Sequence, residues 1–151
     1  MYFFGIWYCK IKKNVIKYNR SFKGGKIMEN VLNIEIKVTE VIKRLGSPAN
    51  VKGYYFLREA IIRTIDDVAF VENITKRLYP EIAICNSTTS GRVERAIRHV
   101  IEVSWERGES ESQDFYFGYN KTDGRSRPTN SEFIAAVADQ IRLTMKTGTL
   151  K

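Results

Sequence analysis

Residues 88–100 read TTSGRVERAIRHV. Val93, Ala96, Ile97 and Val100, continued by Ile101, recur at the spacing that one face of an α-helix buries. Arg92, Arg95, His99 and Glu102 form much of the opposite face, with Arg98 beside it. Only small polar residues (Thr88, Thr89 and Ser90) precede the helix, and such residues cap helix starts. A short helix, a small-residue turn and an amphipathic helix with arginines near its beginning follow the helix-turn-helix plan.

Helical patterns continue on both sides. Ile34, Val38, Val41, Ile42 and Leu45 make one apolar stripe, stopped by Gly46 and then Pro48. In GYYFLREAIIRTI, Tyr54, Leu57, Ile61 and Ile65 share a face; Arg58, Glu59 and Arg63 lie off it, and Glu59 and Arg63 are one turn apart and can pair. ENITKRLYPEIAICN reads as a short helix followed by a second with Pro80 in its first turn, where proline is tolerated. The helix of the opening stretch is expected to end at Gly108, ESESQD to be polar surface, and NKTDGRSR to be a basic loop around the Asp123-Gly124 turn. The last helix starts at Thr129, with Glu132 three residues on to complete a capping box, and Ile134, Val137, Ala138 and Ile141 as its buried stripe. No alternating strand pattern follows residue 40, so the expected fold is all-α, a compact bundle of about six helices containing the helix-turn-helix.

A chain of 151 residues has room for one ordinary domain. Of the 25 Lys and Arg residues, seven fall in residues 1–28, which hold no acidic residue. The remaining 18 face 17 acidic residues, so bulk charge says little about the folded part, and local arrangement must carry any nucleic-acid argument. Residues 1–28 are read as a basic aromatic leader outside the fold, with Met28 as an alternative start, and residues 29–151 as the domain. The leader's apolar run is far shorter than the ~20 residues a bilayer crossing needs, and its charges follow that run instead of preceding it as in a secretory signal. No membrane partner is expected. Cys9 and Cys85 lack a metal-type spacing, which predicts reduced thiols in a cytoplasmic protein.

Arginine can present two parallel donors to O6 and N7 of guanine, and a glutamate can accept from the N4 amine of cytosine. Arg95, Arg98 and Glu94 are therefore candidate base readers at the start of a recognition helix. Thr88, Thr89, Ser90, Arg92, His99, Lys121, Arg125, Arg127 and Asn130 are candidate phosphate contacts, with Lys76 and Arg77 on the flank. Spacing alone leaves a second reading open, since Glu94 and Arg98 are four apart and can pair on a solvated face. Chemistry of other kinds finds no footing. His99 is the one histidine, without a metal-type cluster, a nucleophile context or a phosphate-cradling glycine loop, so neither enzyme activity, cofactor nor metal is expected.

SPANVKGYYFLREAI, ITKRLYPEIA, RVERAIRHVIEVSWERG, FGY and RPTNSEFIAAVADQIRL resemble, in order and spacing, the C-terminal effector domain of the stage-zero sporulation transcription factor A family, the master sporulation response regulators of endospore-forming bacteria. The resemblance runs from about Val38 to Leu143. It implies a winged-helix-like effector domain that binds double-stranded promoter DNA at TGTCGAA-type boxes and activates or represses transcription, with activation through the sigma subunit of RNA polymerase. It places base reading on Glu94, Arg95 and Arg98, and sigma contact on Phe117, Ala138 and Asp139. It also implies work at the nucleoid and a homodimer on tandem boxes. Full-length members add an N-terminal receiver domain, for which this chain is expected to have no room, as in an excised effector domain or a free-standing paralogue. Ile84 and Cys85 stand where the family tends to be basic, and Gly91 where it usually has serine. These departures are expected to loosen phosphate anchoring, and they keep open a second function: binding sigma factor or a full-length regulator without reading DNA.

Overall fold

The computed structural model describes residues 25–148. Seven α-helices and one π-helical turn make up its regular structure: α1 (Gly25–Arg44), α2 (Lys52–Asp66), α3 (Ala69–Glu72), the π turn (Ile74–Leu78), α4 (Tyr79–Cys85), α5 (Ser90–Arg107), α6 (Ser110–Phe117) and α7 (Asn130–Thr147). The described residues contain no strand, so no β-hairpin wing accompanies the helix-turn-helix. Cys9 and most of the leader lie outside the described residues, while α1 begins at Gly25, inside the segment read as leader.

Helix α2 is the hub. It packs chiefly against α5 and α7, with α1 along another side. Tyr54, Phe56, Leu57, Ala60 and Ile61 are buried on it, facing Val93, Ile97, Val100 and Ile101 of α5 and Phe133, Ile134, Val137 and Ala138 of α7 within one continuous core. Burying apolar side chains of this size stabilises by roughly 1.5–3 kcal/mol each, so these stripes outweigh the weak propensities of the β-branched residues among them.

Two close backbone approaches fix how the helices meet. A Cβ at Gly53 would lie 2.6 Å from Val100 Cγ2 and 2.7 Å from the Ala96 carbonyl carbon, and closer still to the Ala96 oxygen, so only glycine lets α2 touch α5 there. At the far end of α5, Gly46 has φ +86°, and a Cβ on it would stand 2.5 Å from the Gly108 nitrogen. The same corner is closed by a buried Ser47–Ser104 hydroxyl bond of 2.8 Å.

Two local expectations differ from the structure, and a third is met in a more buried setting. The short helix expected over residues 72–78 is instead a π turn, which follows α3 and in which Leu78 N–H reaches back to Asn73 C=O. Proline has no N–H to donate to the preceding turn, and the wider turn carries the chain into α4. ESESQD is largely helical as α6, and its Gln113 is 1% exposed. The Gln113 amide donates to Trp105 C=O at 2.7 Å and its oxygen accepts from Lys121 N–H at 2.9 Å, satisfying backbone groups that would otherwise be buried without partners. Finally, Glu59 pairs with Arg63 as expected, but inside the protein, 5% exposed.

Gly53→Ala should lower stability by about 1–3 kcal/mol, the usual cost of forcing atoms into a packed contact, read as a drop in the thermal midpoint. A variant as stable as the parent would show that α2 and α5 are not locked by this approach.

Candidate nucleic-acid interface

Helix α4, the turn at residues 86–89 and α5 form the helix-turn-helix. The turn is tied to α4 by Asn86 N–H on the Ile82 and Ala83 carbonyls and by Thr88 N–H on Ala83 C=O at 3.0 Å. Ser87 takes φ +49°, the one non-glycine in the left-handed region among the described residues. From beneath, Glu59 on α2 accepts from the Asn86 side chain at 3.0 Å and from Arg63 at 2.7 and 3.0 Å. Arg63 also reaches Glu81 at 3.0 Å and Cys85 Sγ at 3.2 Å. Burial works against the Arg63 charge, but Glu59, Cys85 and Glu81 outweigh it and hold the guanidinium above its ordinary pKa. The pair is therefore a clamp from α2 onto α4 and the turn, and a buried pair left with one partner is costly.

Thr89 caps α5, its hydroxyl accepting from Arg92 N–H at 3.4 Å. Thr88 and Ser90 beside it are half-buried. A Cβ at Gly91 would meet nothing nearer than Arg95 Nη2 at 4.0 Å, so packing does not demand glycine there. Arg92, Arg95, Arg98 and His99 are exposed, and Glu94 is half-buried. Arg95 Nε donates to Gly91 C=O at 3.1 Å, which lays its side chain toward the helix start. Glu94 and Arg98 are paired at 3.4 Å, and both remain open to solvent. The three candidate readers thus share one exposed face in the N-terminal half of α5.

The neighbouring elements complete a groove. Asn130 at the start of α7 donates through Nδ2 to the Tyr79 hydroxyl at 2.9 Å and to Glu94 C=O at 3.2 Å, joining α7, α4 and α5. Burial holds the Tyr79 phenol above its usual pKa. Tyr79, Glu94, Arg98, Arg127, Thr129 and Asn130 line the groove. Asn130 entered as a phosphate candidate from sequence; its inward bonds had no sequence signal, because they cross 51 and 36 positions.

Apart from Arg127, the other expected residues lie outside the groove, and several are engaged within the protein. Lys121 Nζ donates to the Glu106 and Gly108 carbonyls at 2.8 and 3.0 Å, at the C-terminal end of α5. Arg125 stacks over Tyr119 at 5.5 Å, and Arg127 pairs with Glu102. Arg77 is engaged by Asp67 and Glu81 and lies over the Phe70 ring, whereas Lys76 is exposed. Ile84 is 76% exposed and Cys85 is buried. Phe117 is half-buried between Trp105 and Phe133, with ring centroids at 5.8 and 5.2 Å. Ala138 is fully buried in the core, so of the two α7 sigma candidates it is Asp139 that reaches the surface.

Among the described residues, no group of three or more His, Cys, Asp or Glu side chains could hold a metal ion, and no helix is long and apolar enough to cross a membrane. In comparison with known families, residues 38–141 match the family described as sporulation initiation factor Spo0A C terminal.

The groove's edge carries a titratable element. Glu132 accepts from Thr129 N–H and from its hydroxyl, both at 2.8 Å, and the backbone bond first, then the hydroxyl, draws its carboxyl below the ordinary 4.5. Its contribution is present above that ordinary value and lost as pH falls through the lowered one. In thermal melts taken from pH 6 down to about pH 3, Glu132→Gln should lose less stability than the parent; parallel losses would remove this carboxylate from the acid response.

Proposed function

We propose, from the premise that the chain belongs to the Spo0A C-terminal family, that α5 reads promoter DNA in the major groove. The domain is the DNA-binding domain of a sporulation transcription factor. What supports the finer reading is the face of α5 itself: its apolar stripe is spent on α2 and the core, leaving Arg95, Arg98 and Glu94 together and accessible at the end that a helix-turn-helix directs at base edges. In a TGTCGAA-type box, the two arginines would each take a guanine through O6 and N7, and Glu94 would accept from a cytosine N4 amine. To do so, Arg98 exchanges its exposed pairing with Glu94 for base contacts. Such a pair is worth little in water, so opening it costs at most about 1 kcal/mol.

Phosphate contacts would come from the start of α5 and from the groove rim: Thr88, Thr89, Ser90, Arg92 and His99 on one side, and Arg127 and Asn130 on the other. Lys121 and Arg125 extend the basic loop beyond the rim. For transcriptional output, α6 and α7 offer Phe117 and Asp139 as a sigma-facing surface, and tandem boxes would seat two copies side by side.

A duplex carrying a TGTCGAA box should bind with an affinity that falls as salt rises. Arg98→Ala should cost about 1–3 kcal/mol and relax the preference at a single guanine. Competition mobility shifts with each guanine replaced in turn read both effects. Equal affinity of the parent protein for a scrambled duplex would rule out specific reading.

A further inference from the structure

Helix α5 carries Glu94, Arg98 and Glu102 at successive four-residue intervals, so they line one side of the helix. Arg98 is paired with Glu94 at 3.4 Å, and Glu102 is paired with Arg127, which belongs to the loop leading into α7. Arg127 also lines the groove beside Arg98 and Thr129. Both members of the Glu102–Arg127 pair are exposed, at 44% and 41% of their side-chain area, so the pair sits where an incoming polyanion meets it. The guanidinium fork that grips a carboxylate has the same geometry for a phosphodiester.

We propose that Glu102 is an internal competitor for DNA phosphate, occupying Arg127 in the free protein and setting how tightly the chain holds any duplex. This rests on the reading of α5 as the DNA face. On a duplex held through its backbone alone, the Glu102 carboxylate keeps Arg127 from the phosphate and leaves a negative charge beside it, so that contact goes unmade. The chain thereby suppresses sequence-independent, backbone-only attachment through a residue that need not touch a base. Exposed pairs of this kind are weak enough to exchange readily.

The test uses a random-sequence duplex, with affinity measured by fluorescence anisotropy over a salt series. Glu102→Gln and Glu102→Ala should both bind about three- to tenfold more tightly at low salt, with the log–log salt slope steeper by about 0.9, the value for one added phosphate contact. Glu102→Gln combined with Arg127→Gln should bind as Arg127→Gln alone does. Glu106→Gln, which removes the same charge farther along α5, should leave the slope unchanged. Unaltered or weaker binding by both Glu102 variants, absence of binding by any of the proteins, or a gain that survives loss of Arg127 would overturn the proposal. Loss of box preference in the parent protein is a separate outcome, invisible in a random duplex, and bears on the DNA-reading proposal instead.

Discussion

Gly53 lies against the backbone of Ala96, and this contact sets the distance and direction between the hub helix α2 and α5. A helix that offers one face to solvent must be held by the other, and α5 is held there by Val93, Ile97, Val100 and Ile101. Those side chains can seat fully only because α2 presents no Cβ at the point of closest approach. Interiors are packed as tightly as organic crystals, so such a contact is set by fractions of an ångström. The Gly46–Gly108 corner repeats the device at the C-terminal end of α5, so the helix is pinned at its middle and at that end.

A second layer of constraint is polar. Glu59 and Arg63 reach from α2 to Glu81, Cys85 and Asn86, and so fix α4 and the turn relative to the hub. Asn130 joins Tyr79 and the Glu94 carbonyl from the opposite side. Helices α4 and α5 and the start of α7 are therefore joined into one frame around a charged face. Positioning and chemistry are divided between residues. The buried groups tie the helices together, while Arg92, Arg95, Arg98 and His99 are exposed to water.

Much of this was legible in the sequence because it is local. The stripe of α5, the Gly46 and Pro48 stop and the Thr129–Glu132 capping box all depend on residues a few positions apart, and each is found in the structure. What local spacing does not carry depends on distant partners. Polar Gln113 looks like surface until the Trp105 carbonyl and the Lys121 amide are known to need it. Glu59 and Arg63 have the spacing of a solvated pair, and only the arrival of α4 against α2 buries them. The candidate readers were visible as residue types, but whether they met on one exposed face depended on which side of α5 the core would take.

Whether the N-terminal half of α5 is the surface that meets DNA can be read by amide chemical-shift mapping, titrating isotope-labelled protein with a TGTCGAA duplex at moderate salt. The largest changes should cluster on residues 88–99 and on Asn130 and its neighbours, with the buried stripe of α2 little moved. Changes confined to α6 and the C-terminal half of α7, with α5 silent, would contradict that placement.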